Sequence, residues 1–166
     1  MPRLENFSTA QQANNNSCWA CAGREINNFF CRQNRSGTNE PLNSDHDFAS
    51  ACDMDVNVQL SAAEALHHLG YKNNVDERPI PTPTEITKAI AEGTPLLSIV
   101  GSKDPGLKPD LNYKKGHWVV IIGISDDLKT LYVFDPDTGQ VQKIPYNQKL
   151  YQEGVYWENT SYVDGQ

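Results

Sequence analysis

The spacing of apolar residues changes along the chain, from a helical period in the first part to strand-like runs in the second. In the first part, Cys18, Cys21 and Phe29 fall on one side of a helix, because residues three or four apart share a face. Ser17 precedes this stripe and is a favourable N-cap. The pattern therefore predicts a helix over residues 18–31 with one buried face.

Capping residues mark further helices before the strands begin. Ser61 stands three residues before Glu64, which is the spacing of a capping box, and Thr82 is followed by Pro83 at the first helical position. Short apolar runs separated by turn residues follow in the rest of the chain. These patterns predict helices over 47–52, 62–69 and 83–93, and strands over 96–100, 117–124, 130–134, 140–144 and 155–163.

Helices followed by a series of antiparallel strands are typical of the α+β class. The chain length of 166 residues suits one domain, which we expect to span residues 1–166, with a helical part over about 17–93 and a sheet part over about 95–163. A loop rich in Gly, Pro, Lys and Asp covers residues 101–115. Long connections without regular structure are uncommon, so this segment is a candidate functional loop.

Composition and charge disfavour several classes of function. Hydrophobic residues make up 38% of the chain and charged residues 21%, a globular balance. The net charge of -7 and the absence of a basic run disfavour nucleic-acid binding. The longest apolar stretch has the length of a strand, and the N-terminus lacks the apolar segment of a secretory signal. We therefore expect that the chain has no membrane span and is made in the cytosol. Any export is expected to use a specialised secretion system.

Three residues far apart in the sequence have the chemistry of a thiol nucleophile system. Cys18 begins the first predicted helix, His117 begins an apolar strand and Asp135 ends the next strand. A thiol attacks as its thiolate, which a helix N-terminus and a nearby imidazolium both favour. The pattern predicts that Cys18 is the nucleophile, His117 its general base and Asp135 the acid that orients the imidazole. Gln12 and the backbone N–H of Cys18 are candidate donors to the developing oxyanion.

These residues resemble the motifs of the papain-like cysteine peptidases. In that family a glutamine six residues before the nucleophile serves the oxyanion hole, and Gln12 stands six residues before Cys18. This spacing favours Gln12 over its neighbour Gln11. The family also has an aromatic residue after the nucleophile, here Trp19, and the order Cys, His, then Asn or Asp is kept.

The C-terminal part resembles the compact bacterial branches of the family, which are bacteriocin leader-processing peptidases and papain-like effector proteases. The run 117–120 (His-Trp-Val-Val) and, after one hairpin, Asp135-Pro136 match their pattern, and the resemblance covers about residues 10–145. It implies a papain-like fold, in which a helical lobe carrying the nucleophile helix packs on an antiparallel sheet. It also implies hydrolysis of protein or peptide substrates through an acyl-enzyme, with no metal or organic cofactor.

Cys18 and Cys21 also have the C-x-x-C spacing of redox and zinc sites. A redox site of this kind needs a βαβ setting, which the run of asparagines before Cys18 does not suggest. A zinc site needs a second pair of ligands, and the adjacent His67 and His68 lack suitable spacing. We therefore expect Cys21 to be a packed thiol behind the nucleophile. The acidic residues over 45–55 lack the pattern of a calcium loop, and we expect a solvated acidic face there.

The same triad is compatible with other activities. Acyl transfer to an amine and deamidation of glutamine differ only in the acceptor or the substrate amide, and hydrolysis of peptidoglycan amides is a further alternative. A catalytically silent papain-like binding module is the alternative outside enzymes, although the intact set of site positions argues against it. A compact protease with no visible signal or propeptide endangers the cell that makes it. We therefore expect an effector or toxin, with delivery into another cell or a cognate inhibitor or immunity protein.

Overall fold

The computed structural model describes residues 3–35, 37–101 and 116–165, so the predicted functional loop lies outside the described residues except for Gly101. The helices in this part are α1 (Cys18–Cys31), α2 (Asp45–Ala51), α3 (Ala62–His68) and α4 (Pro83–Ala91). The strands are β1 (Lys72–Val75), β2 (Leu96–Gly101), β3 (His117–Ile124), β4 (Thr130–Asp135), β5 (Gln140–Pro145), β6 (Leu150–Gln152) and β7 (Val155–Asp164).

The strands form one antiparallel sheet with the order β1-β7-β2-β3-β4-β5, and β6 pairs with the first residues of β7. The strand β3 is buried along its whole length, and buried residues of the helices and of the sheet form one continuous hydrophobic core. Helices placed before an antiparallel sheet confirm the predicted α+β class.

The helix α1 lies at the centre of the molecule. It contacts α2, α3 and β3, and every residue from Cys18 to Phe30 is buried. The sequence pattern predicted a single buried face, so this part of the prediction is wrong: the helix is covered on all sides. Even Arg24 and Glu25 are only 7% and 3% exposed, so their charges require partners inside the protein.

Local signals account for most of the helix ends. Thr82 and Glu85 form the complete capping box of α4, with each side chain bonded to the other residue's backbone. Ser61 accepts a hydrogen bond from the N–H of Glu64, as predicted for α3. Gly93 follows α4 with a φ of +76°, a left-handed conformation that glycine adopts without strain.

The predicted boundaries agree with the structure to within two residues for every predicted element, and two strands were missed. The helix α2 begins at Asp45, after the N-cap Ser44, instead of at residue 47. The strands β1 and β6 were not predicted at all, because β1 has no alternation of apolar and polar residues and β6 has only three residues. Both form through pairing with β7, a contact that their own sequences do not encode.

Candidate active site

Cys18 is the first residue of α1 and is 1% exposed. Its thiol therefore lies at the helix N-terminus, where the helix dipole favours negative charge. Ser17 has the predicted N-cap position, but its hydroxyl makes no capping hydrogen bond. The hydroxyl oxygen lies 3.0 Å from Oδ2 of Asp45 and 3.1 Å from the carbonyl oxygen of Asn14. Ser17 thus ties the loop before α1 to α2, and the capping part of the prediction is wrong.

His117 and Asp135 meet through the pairing of β3 with β4. Val120 pairs with Phe134, and continuing this register places Asp135 opposite residue 119, so His117 is its diagonal neighbour on the same face. Nε2 of His117 lies 2.6 Å from Oδ1 of Asp135, and both residues are fully buried. The structure thus brings together the predicted base and its predicted orienting acid.

Three effects determine the charge of His117. Burial lowers the pKa of its imidazole, but hydrogen bonds with Asp135 and with Cys18, together with the charges of these two partners, raise the pKa to about 10. The ring is therefore an imidazolium at neutral pH. Since Cys18 is among the groups that raise the pKa of the ring, the predicted nucleophile lies beside the predicted base.

Asp135 accepts hydrogen bonds from three different parts of the protein. Besides His117, Oδ1 accepts from the N–H of Asp137 at 2.9 Å, and Oδ2 accepts from the hydroxyl of Tyr151 at 2.7 Å. Burial raises the pKa of the Asp135 carboxyl, whereas the hydrogen bond and charge of His117 and the bonds from Tyr151 and Asp137 lower it, with a net shift below the usual range. Asp135 therefore stays ionised. The hydrogen bond between its carboxylate and the His117 imidazolium is charge-assisted.

Tyr151 was not predicted from the sequence as a site residue. It lies on β6, a three-residue strand that carries no periodic signal of its own. An isolated tyrosine in a polar stretch gives no indication that its hydroxyl points toward a residue sixteen positions earlier. The pairing of β6 with β7, together with the contacts of Tyr151 and Gln152 with Gln142 on β5, places Tyr151 beside Asp135.

Gln12 lies next to the turn that follows Asp135. Its backbone N–H donates to the carbonyl oxygen of Pro136 at 2.8 Å. Its side-chain NH2 group donates to the carbonyl oxygen of Asn14 at 2.8 Å, which occupies one of the two hydrogens of that group. The neighbouring Gln11 is exposed, and its side chain donates to the carbonyl oxygen of Asp137 instead.

A buried ion pair holds the loop between Gln12 and Cys18. Asp45 is 2% exposed, and its Oδ1 lies 3.1 Å from Nη2 of Arg24. Its Oδ2 accepts from the N–H of Ala13 at 2.6 Å. The sequence predicted a solvated acidic face around residues 45–55; for Asp45 this is wrong, because the carboxylate faces inward and its charge is neutralised by Arg24.

The segment 58–60 connects the helical part to the sheet beside the site. The indole N–H of Trp19, directly after the nucleophile, donates to the carbonyl oxygen of Val58 at 2.8 Å. The indole N–H of Trp118, directly after the histidine, donates to the carbonyl oxygen of Leu60 at 3.1 Å. The side chain of Gln59 donates to the carbonyl oxygen of Gly116. These bonds fix α1 and β3 to one common segment, which sets the distance between Cys18 and His117.

Cys21 is a buried thiol one turn behind Cys18, as expected. It donates to the carbonyl oxygen of Ala10 at 3.3 Å, and burial together with the negative charge of Asp45 raises its pKa well above the usual range.

Within the described residues, no group of His, Cys, Asp and Glu side chains has the arrangement of a metal site. No helix in the described part of the chain is long and apolar enough to span a membrane.

The model of the Peptidase_C39 like family matches residues 6–164. The fold is similar to the crystal structure of the peptidase domain of Streptococcus ComA, a bi-functional ABC transporter involved in a quorum-sensing pathway, with a TM-score of 0.62 and 13% sequence identity. This similarity covers 97% of the present chain and 100% of the ComA domain. No curated protein matches the sequence. At this low identity the ComA domain bears on the fold alone, and it supports the predicted papain-like arrangement.

Proposed function

The chain belongs to the Peptidase_C39 like family and is a papain-like cysteine peptidase, and on this basis we propose that Cys18, His117 and Asp135 form its catalytic triad. The observation that carries the proposal is the buried hydrogen bond between His117 and Asp135, together with the position of the Cys18 thiol beside the same imidazole, where it raises the pKa of the ring. The three residues come from the start of α1, the start of β3 and the end of β4. A thiol, an imidazole and a carboxylate in this order are the parts of a nucleophile, its proton-transfer partner and an orienting group.

In the proposed reaction, the sulfur of Cys18 attacks the carbonyl carbon of the scissile peptide bond, and the carbonyl oxygen takes up the negative charge. The imidazolium of His117 then gives its proton to the leaving nitrogen as the C–N bond breaks, which leaves a thioester on Cys18. A water molecule, deprotonated by His117, attacks the thioester. The carboxylic acid leaves, and the thiolate and the imidazolium are restored.

Gln12 and the backbone N–H of Cys18 are the proposed donors to the oxyanion. The backbone of Gln12 is held beside the turn after Asp135 by its bond to Pro136, which supports a position close to the triad. One hydrogen of its side-chain NH2 group is used by Asn14, so the other is the one assigned to the oxyanion. Donors that are held in place before the reaction stabilise the developing charge without reorganisation.

Protein or peptide substrates are the proposed acyl donors. Cys18 is 1% exposed, so a bulky group approaches its sulfur less readily than a small molecule does. A small alkylating reagent such as iodoacetamide is for this reason a better first probe of Cys18 than a peptide inhibitor. The imidazole of His117 lies beside the sulfur, so a group for proton transfer is in place next to the proposed nucleophile.

The decisive experiment compares wild type, Cys18→Ala and the control Cys31→Ala on a whole-cell lysate, with new N-termini mapped by mass spectrometry. Cys31 is a partly exposed thiol at the other end of the same helix, so it controls for general thiol effects. We expect new N-termini with wild type and with Cys31→Ala, and none with Cys18→Ala. Cleavage that persists in Cys18→Ala shows that the proposed nucleophile is wrong.

The same samples distinguish the alternative activities. A mass increase of about one unit on a target without chain cleavage indicates deamidation of glutamine, because only the substrate amide differs. Release of fragments from purified peptidoglycan, with no new protein N-termini, indicates a peptidoglycan amide hydrolase. Lack of iodoacetamide labelling at Cys18, with no product of any kind, indicates a catalytically silent module.

An effector or toxin role stays a prediction from the sequence. Copurification of a small inhibitor or immunity protein with the Cys18→Ala variant, from a cell that encodes both, supports this role. Normal growth of the native cell when the active protein is overproduced alone contradicts it.

A further inference from the structure

Tyr151 contacts the proposed triad at Asp135. Its hydroxyl lies 2.7 Å from Oδ2 of Asp135, and the residue is 2% exposed. The ring packs edge-on against Trp157, with the ring centroids 5.2 Å apart. A buried aromatic ring held in this way has little freedom to rotate its hydroxyl away from the carboxylate.

The two oxygens of Asp135 have separate donors. Oδ1 lies 2.6 Å from Nε2 of His117 and also accepts from the N–H of Asp137 at 2.9 Å, whereas Oδ2 accepts from Tyr151. A carboxylate with only Oδ1 bound can still turn about its Cα–Cβ and Cβ–Cγ bonds. Bonds at both oxygens define the plane of the carboxylate, and therefore the direction in which it presents Oδ1 to His117.

The hydroxyl of Tyr151 has one proton and two acceptors within reach. Oε1 of Gln142 lies 3.3 Å away, which is a longer contact than the 2.7 Å to Asp135. The side-chain NH2 group of Gln152 donates to the same Oε1 of Gln142 at 3.3 Å. Since Gln142 has its own donor and the carboxylate is ionised, the proton of Tyr151 is directed to Asp135.

We propose that Tyr151 is a positioning residue of the peptidase, which holds Asp135 ionised and oriented toward His117. The proposal rests on the triad proposed above. Tyr151 touches neither the sulfur nor a substrate in this role, and it acts through Asp135. Among the described residues, His117 and Tyr151 are titratable groups that act on Asp135, and Cys18 acts in turn on His117.

Removal of the Tyr151 hydroxyl has a defined expected effect on the reaction. In Tyr151→Phe the carboxylate loses a donor while buried, so its protonation becomes easier and its alignment with His117 looser. We expect kcat to fall by about 10-fold to 100-fold, as for loss of a hydrogen bond to a charged group, with KM little changed. We also expect the acid limb of the kcat/KM profile to move to higher pH.

The test measures iodoacetamide alkylation of Cys18 and kcat/KM between pH 4 and 10 for wild type, Tyr151→Phe and the control Tyr146→Phe. Tyr146 donates its hydroxyl to the carbonyl oxygen of Pro81, away from the triad, so its variant removes an equivalent group elsewhere. The expected result is a displaced acid limb in Tyr151→Phe alone. An unchanged profile in folded Tyr151→Phe overturns the inference while the triad stands.

A second variant keeps the test decisive if Tyr151→Phe does not fold. A ring-fluorinated tyrosine placed at position 151 retains the packing and makes the O–H a stronger donor, so the acid limb is expected to move to lower pH. No displacement with this residue overturns the inference. Absence of selective Cys18 alkylation and of substrate turnover in wild type is a different result, and it overturns the proposed triad itself.

Discussion

Asp45 and Asp135 are both buried carboxylates, 2% and 0% exposed. Asp45 belongs to the helical part, and its charge is paired with the guanidinium of Arg24 at 3.1 Å. Asp135 belongs to the sheet, and its charge is paired with the imidazole of His117 at 2.6 Å. The two sites have similar burial and different counter-ions.

The counter-ion decides what each carboxylate can do. A guanidinium stays charged at every pH that the folded protein experiences, so Asp45 is a permanent anchor for Ala13 and the loop before α1. An imidazole gains and loses a proton, so Asp135 can support a partner that changes charge during a reaction. One buried acid is thus suited to holding the backbone, and the other to proton transfer.

The largest expected effect comes from neutralising Asp45. Asp45→Asn leaves the buried guanidinium of Arg24 without its main counter-ion. The remaining carboxylate, that of Glu25, has its Oε1 3.6 Å from Nη1 of Arg24. We expect the free energy of unfolding to fall by about 3–5 kcal/mol, the usual result of removing one partner of a buried ion pair. Urea denaturation measures this change.

Asp47→Asn is the matched control for Asp45→Asn. Asp47 lies in the same first turn of α2, but it is exposed. We expect this variant to change the free energy of unfolding by at most about 0.5 kcal/mol. Equal losses in the two variants would show that the ion pair with Arg24 contributes nothing specific.

The next effect is a dependence of stability on pH that involves Asp135 and not Asp45. The pKa of His117 is raised to about 10 in the folded protein, against about 6.5 for an unfolded chain. Its contribution to stability is therefore complete below about pH 6.5 and is lost as the pH rises through 10. The pKa of Asp135 is lowered, so its contribution is present above about pH 3.9 and is lost as the pH falls through the folded value.

Urea denaturation at several pH values between 6 and 10 measures this dependence in wild type, Asp135→Asn and Asp45→Asn. We expect wild type to lose on the order of a few kcal/mol more than Asp135→Asn over this range, because the variant lacks the carboxylate that raises the pKa of His117. Asp45→Asn is expected to keep the wild-type slope. A wild-type slope in Asp135→Asn would contradict the assignment of this dependence to the His117–Asp135 pair.

The smallest expected effect separates anchoring of the loop from capping of a helix. Ser17→Ala removes the hydroxyl that lies 3.0 Å from Asp45, and Ser44→Ala removes the hydroxyl that caps α2 by accepting from Asp47. We expect each variant to lose about 1 kcal/mol of stability. Only Ser17→Ala is expected also to lower the rate of Cys18 alkylation, because only that hydroxyl lies in the loop preceding Cys18. Equal alkylation rates in the two variants would show that Ser17 has no influence on the nucleophile.

Prediction from the sequence succeeded where the signal was local. Helix caps such as Thr82 with Glu85 and the apolar strand from residue 117 are encoded by neighbouring residues. Cys18, His117 and Asp135 each stand at the start or end of an element, which is why the sequence could suggest them as site residues. The structure places His117 beside both Asp135 and Cys18, and their catalytic roles stay a prediction.

Prediction failed where a residue depends on a partner distant in the sequence. Nothing in the residues around Asp45 distinguishes it from an exposed aspartate. It is buried because it pairs with Arg24, which is itself buried in α1. Ser17 has the identity of an N-cap, yet its hydroxyl oxygen accepts from the N–H of Asn14 and lies 3.0 Å from Oδ2 of Asp45, so its bonds are to the preceding loop and α2 instead of to the first turn of α1. The short strand β6 forms through its pairing with β7.

The sequence by itself determined the types of the main elements, the α+β class and the chemistry of a thiol, an imidazole and a carboxylate in order. The tertiary structure decided which charges are buried, which acids neutralise them, and that Tyr151 lies against Asp135. The physical reason is the distance along the sequence over which each effect acts. Caps, turns and apolar periodicity act over a few residues, whereas burial and the pairing of charges depend on side chains that only the folded chain brings together.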